Sequence, residues 1–166
     1  MKIHSLVAVS ALAFGLAVPI GLVIPATAAE PVKSGSYKTQ TGFKAIEEMI
    51  QVGDKHSFTH GVVWGIVSGD GPLHVGTAMC PYINEMNGDT ITFQGRCAWS
   101  DADGDKIFTE WSGKFSASTG AGDGQQPITG GTGKFSGIQG AAPFHCQALN
   151  DKGQFNCSQE WNLTTK

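Results

Sequence analysis

The sequence predicts an all-β protein, a single eight-stranded antiparallel up-and-down barrel. Three observations carry that expectation. After residue 30, runs of Val, Ile, Thr, Phe and Trp alternate with Gly, Asp and Asn clusters, the pattern of short strands joined by tight turns. Glycine makes up 23 of 166 residues, about twice its ordinary share, while charged residues reach only 15%. Helical periodicity is confined to residues 43–50, which read equally well as a strand. The chain is long enough for one core, and no linker or solenoid period divides it.

Residues 1–29 read as a secretory signal, which leaves residues 30–166 as the barrel domain. Lys2 and His4 precede an apolar run over residues 6–24, and Ala26-Thr27-Ala28 offers the small-residue pattern of a cleavage site. The run approaches the length of a membrane span, so an uncleaved anchor is the competing reading. Pro19, Gly21 and the small residues at its end favour cleavage. The expectation is a periplasmic or secreted protein with no membrane attachment after processing.

Eight strands are read in order: residues 44–52, 57–67, 73–85, 90–100, 105–116, 126–129, 139–149 and 154–163. Residues 117–125, rich in Gly, Ser and Thr, read as a loop. Strands this short and evenly spaced suit a barrel better than a sandwich.

All four cysteines, Cys80, Cys97, Cys146 and Cys157, lie in the exported part, where an even count implies two disulfides. Three pairings are open, and the turns discriminate among them. A hairpin tip at Gly88-Asp89 sets Cys80 opposite Cys97, and a tip at Asp151-Lys152 sets Cys146 opposite Cys157. Facing residues lie within disulfide reach. A slip of one residue would spoil either match. Zinc is the weaker alternative, because no C-x-x-C knuckle occurs.

The first of these registers, with a further turn centred on Asp103, divides the middle strands into two faces. One carries His74, Cys80, Tyr82, Phe93, Cys97, Trp99, Ile107, Thr109 and Trp111; the other carries Thr92, Gln94, Arg96, Phe108 and Glu110. Alternation does not say which face is inside. Arg96, the only arginine, falls opposite Glu110. That pair reads either as an exposed cross-strand ion pair or as a charged pair in the barrel mouth that orients a ligand. Arg96, Glu110 and Phe108 are therefore the candidate ligand-binding residues. A net charge of −3 with no basic cluster excludes a phosphate-tracking surface, so no nucleic-acid partner is expected.

Residues 128–140 read Ile-Thr-Gly-Gly-Thr-Gly-Lys-Phe-Ser-Gly-Ile-Gln-Gly. This is not a P-loop, since Phe135 stands where Ser or Thr must follow the lysine, nor a dinucleotide fingerprint, which needs a βαβ unit. The stretch resembles the glycine motif of the allene oxide cyclase and dirigent superfamily of eight-stranded barrels. There it follows one strand, makes a short helical turn and enters the next. Val52-Gly53-Asp54, and Gly88-Asp89 followed by Phe93-Gln94-Gly95, agree in order, so the resemblance covers about residues 44–164. It implies a barrel that works on a small apolar molecule, with trimers common among relatives. In plant cyclases a first-strand carboxylate and an Asn two residues on serve the reaction. Glu48 matches the carboxylate, and Ile50 stands in place of the Asn. In dirigent proteins acidic residues in the barrel guide radical coupling, which makes Glu48 and Glu110 the candidate catalytic residues.

Asp101, Asp103 and Asp105 alternate as in calcium loops, yet Lys106 and Ser112 occupy positions an EF-hand reserves for Gly and Glu. A hairpin tip explains the same residues, so they are weak metal candidates. His56 and His60, four apart on a strand, would stand about 13 Å apart, too far to share one metal. No cofactor motif and no serine-nucleophile elbow occur. Three functions follow. The leading one is a barrel that holds a small hydrophobic or aromatic ligand in its interior; its rivals are a cyclase, isomerase or dirigent-type protein, and a structural or interaction barrel without ligand.

Overall fold

The computed structural model describes residues 32–165, so the segment read as an export signal lies outside the described residues. Among the described residues ten strands are present: β1 (Gly35–Gly53), β2 (His56–Gly69), β3 (Val75–Asn87), β4 (Thr90–Asp101), β5 (Lys106–Ser116), β6 (Ala121–Gln125), β7 (Ile128–Gly131), β8 (Gln139–Ala141), β9 (Phe144–Ala148) and β10 (Gln154–Thr164). Eight of them close an antiparallel barrel in the order β1-β2-β3-β4-β5-β6-β9-β10, with β10 returning to β1. The two further short strands lie alongside, β7 on β5 and β8 on β10. Pro127 separates β6 from β7, and Pro143 separates β8 from β9. A proline has no N–H to give a ladder, so the sheet is broken at both points.

The hairpin registers fall where the turns put them. Asn87 faces Thr90 across the first tip, Arg96 faces Glu110, and Cys157 faces Cys146. Cys80 is bonded to Cys97 and Cys146 to Cys157, with Cα separations of 4.1 and 4.0 Å. The ambiguous residues 43–50 are strand, part of a β1 that begins well before residue 44. Its first half pairs with β10 from Gly35 to Lys44, so it completes the barrel there.

Residues 117–125, read as a loop, contain β6. Its glycines hide the strand signal because neighbouring rings fill their space. A Cβ on Gly122 would lie 2.7 Å from the Phe115 ring, and one on Gly124 would lie 2.2 Å from Phe144. The strand read over residues 73–85 begins instead at Val75, after a 3-10 turn at Gly71–Leu73. His74, expected on the face of Cys80, is exposed in that turn.

The interior is the face of Cys80, Tyr82, Phe93, Cys97, Trp99, Ile107 and Thr109. Trp99 and Trp161 meet edge to face at 5.0 Å near its centre. Each indole N–H is satisfied by an inward threonine, Trp99 by Thr109 at 3.1 Å and Trp161 by Thr39 at 2.9 Å. Gln159 accepts from Thr39 and Thr41, and Gln126 donates to Thr109. These polar groups are tolerated in the core because they are paired with each other, whereas the buried Trp111 indole N–H has no partner among the described residues. The glycine motif ends β7 and makes a 3-10 turn, Gly133–Phe135, that buries Phe135 completely.

Candidate functional site

The barrel has no room for a ligand of any size in its centre. Between the two disulfides, Trp99, Phe144 and Gln126 there remains a cavity of about 20 Å³, space for one water molecule. Further along, Phe93 packs 4.9 Å from Trp111 and 6.1 Å from Phe144, while Tyr82 lies 5.8 Å from Trp111. Tyr82, Phe93, Trp111 and Phe144 therefore fill the barrel with each other.

The large concavity lies on the outside. A groove of about 1130 Å³ crosses β1 to β5, and its outward side chains include Ile46, Val62, Pro81 and Ile83. Arg96 and Glu110 lie in it, 2.7 Å apart, with side chains 74% and 50% exposed. Of the two readings of this pair, the exposed cross-strand ion pair is the one found, and the barrel-mouth reading is corrected. Strand alternation turns Arg96 outward because its neighbour Cys97 is tied inward to Cys80. Phe108 also points outward, in a cross-strand row with Trp64, Met79 and Ala98. Glu48 lines the same groove, 3.6 Å from His60 and 84% exposed. The structure thus gathers Glu48, Arg96 and Glu110 in one place, outside the barrel. The Arg96–Glu110 ion pair is solvated and adds little to stability.

The first-strand carboxylate that faces inward is Glu47. It opposes Gly61, which opposes Tyr82, then Gly95, then Trp111. Large and absent side chains alternate along this row, so Glu47 reaches across Gly61 to accept a hydrogen bond from the Tyr82 hydroxyl. Burial and then the Glu47 carboxylate push the Tyr82 phenol well above its ordinary range, which keeps it protonated. Glu47, Tyr82 and Trp111 are also among the residues that border the groove. Sequence reasoning missed Glu47 because two adjacent glutamates leave the parity open. The available signal was the Gly61 and Gly95 spacing, which leaves space only on the inward face.

Gly61 tolerates no side chain. A Cβ there would lie 2.5 Å from the Ile46 carbonyl oxygen and 2.9 Å from the Glu47 Cα, backbone that must move to admit it. Gly61→Ala is expected to lower stability by about 1–3 kcal/mol, as overpacking does. Urea unfolding checks this, and an unchanged midpoint would contradict the close approach.

The acidic turn between β4 and β5 holds a lysine. The Asp101 carboxylate accepts the N–H groups of Asp103 and Asp105, both at 2.9 Å, and its other oxygen is 2.6 Å from the Lys134 ammonium. Asp103 is 2.8 Å from the same ammonium, and Asp105 accepts the Lys134 backbone N–H at 3.0 Å. The two aspartates hold Lys134 well above the ordinary lysine range, and Lys134 holds Asp103 below the usual carboxylate range. As metal candidates the three aspartates are corrected: the side-chain cation of the glycine motif stands where an ion would. Among the described residues, no group of three or more His, Cys, Asp and Glu is placed to hold a metal. A scan against protein-family models and a search of curated proteins find no match to this chain.

Proposed function

We propose that this protein is an exported barrel of the allene oxide cyclase and dirigent type that binds an amphipathic small molecule on its outer face. The ligand's apolar body lies over Ile46, Val62, Pro81 and Ile83, and its polar or anionic end meets Arg96. One contrast carries the reading: about 20 Å³ of free space inside against about 1130 Å³ in the outer groove. Known small-molecule sites occupy roughly 300–1,000 Å³ and combine apolar walls with a few polar groups. Arg96 spends one nitrogen on Glu110 and keeps other donors for a ligand. Two disulfides support an oxidising compartment, and the GGTG turn entering β8 supports the family resemblance. Glu48 and Glu110 are exposed to water on the outer face, Glu48 beside His60 and Glu110 paired with Arg96, an environment that does not support acid–base work in a cyclisation.

The test is a fluorescence titration with 1-anilinonaphthalene-8-sulfonate, an apolar anion, checked by native mass spectrometry for one site per chain. Ile83→Glu, a surface change, is expected to weaken binding at least about tenfold by placing a charge under the apolar body. Arg96→Gln weakens the anionic probe and spares a neutral one. If no saturable binding occurs, or if Ile83→Glu leaves it unchanged, the ligand reading fails and the self-filled structural barrel stands in its place.

A further inference from the structure

The barrel closes only part of β1. Its pairing with β10 ends at Lys44, and the last bond on that side runs from the Ala45 N–H to the Gly153 carbonyl at 2.8 Å. From Ile46 to Gly53 the strand pairs with β2 alone. Backbone groups alternate sides along a strand, so those of Glu47, Met49 and Gln51 point the way Ala45 does, away from β2. No strand pairs with that edge among the described residues. The edge runs about 25 Å at the ordinary rise per residue.

Proteins blunt such edges with lysine, proline or inward charge. Residues 46–53 hold no Lys and no Pro. The inward Glu47 is engaged by Tyr82, and Glu48 lies beside His60 on the outer face. Ile46, Met49, Ile50 and Val52 are each more than half exposed, so each face of the edge carries exposed apolar side chains.

We infer that this edge pairs with the same edge of a second copy, antiparallel, about a two-fold axis at Met49. The stretch is self-complementary in that register. Met49 faces Met49, Ile46 faces Val52, Glu47 faces Gln51 and Glu48 faces Ile50, with no like charges opposed. A shift that centres the axis on Glu48 sets two carboxylates directly against each other. A shift toward Ile50 carries the pairing into the bulge between Gln51 and Gly53. The two glutamates that look like edge guards thus select one register. In it the amides of Glu47, Met49 and Gln51 exchange bonds with Gln51, Met49 and Glu47 of the other copy, and the pairing ends where each β1 meets its own β10. The Asp54-Lys55 turn of each copy then comes beside the Asp151-Lys152 turn of the other, where opposite charges are available on both sides. The resulting interface is isologous, as a closed dimer requires. It involves backbone of β1 and not Arg96 or Ile83, so its failure and that of ligand binding are separable.

Sedimentation velocity of the oxidised protein over a concentration series reads the association, and the expected result is a dimer. Met49→Pro removes an edge-facing N–H without touching the β1–β2 ladder, and is expected to give monomer with an unchanged circular dichroism spectrum. Met49→Cys fixes the register independently. Facing Cα atoms in a bonded pair are about 5.5 Å apart, within disulfide reach, whereas Glu48→Cys would sit on a longer diagonal. Met49→Cys is expected to form a covalent dimer at least about tenfold faster than Glu48→Cys under mild oxidation. A wild-type protein that stays monomeric throughout, or equal cross-linking of the two cysteine variants, would overturn the inference.

Discussion

Replacing Cys80 and Cys97 together by alanine is expected to lower the thermal midpoint by about 10 °C. The bond closes a loop of 17 residues, and the Cys146–Cys157 bond closes one of 11. Loop-closure entropy assigns each bond about 3 kcal/mol through the unfolded chain. For a domain of this size, 1 kcal/mol moves the midpoint by a few degrees. Both bridges lie inside the barrel, so alanine also removes buried sulfur, and the cost exceeds the cross-link alone. Calorimetry of the reduced wild type separates the two effects, because the thiols keep most of the packed volume. Losing both bridges is expected to remove about 6 kcal/mol, comparable with the whole stability of an ordinary domain. A midpoint that moves by less than about 3 °C on losing either bridge would mean that the unfolded chain is already held together by other contacts.

Lys134→Met is expected to cost about 3 kcal/mol at neutral pH. The Asp101 side chain is 2% exposed, and the Lys134 ammonium is its only opposite charge within 4 Å among the described residues. Removing one partner of a buried pair leaves the other charged and uncompensated, which costs more than the intact pair contributes. The expected pH dependence follows from the two shifted groups. Lys134 is raised, so its contribution is complete below the ordinary lysine range and is lost as pH rises through its own higher value. Asp103 is lowered, so its share is present above the ordinary carboxylate range and is lost as pH falls through its depressed value. Denaturant midpoints of wild type and Lys134→Met should therefore differ most near neutrality and converge toward both extremes. A difference that stays constant across pH would mean that Lys134 acts through its alkyl chain and not its charge.

Much of the fold was legible because hairpins are local. The turn residues at Gly88-Asp89, Asp103 and Asp151-Lys152 sit midway between the residues they bring together. The facing of Arg96 with Glu110 and both disulfide pairings followed from them. The elements that escaped are non-local. β6 shows too little apolar content to announce itself, since Phe115 and Phe144 from neighbouring strands occupy the space beside its glycines. The early start of β1 could not be seen because its partner, β10, lies at the other end of the chain.

The candidate site divides in the same way. Its members were found by residue type and register, and their location was not. Period-two alternation sorts side chains onto two faces with certainty but does not label either, and here both faces carry aromatic and charged groups. Closure of the barrel made the label: the cysteines, Trp99 and Thr109 went inside, so Arg96, Phe108, Glu110 and Glu48 came out and Glu47 turned in toward Tyr82. By itself the sequence determined the all-β class, the turns of the local hairpins and who faces whom across them. Only the tertiary structure decided which face is buried, how little space remains within it and which strand edge is left open, because these depend on how distant strands meet.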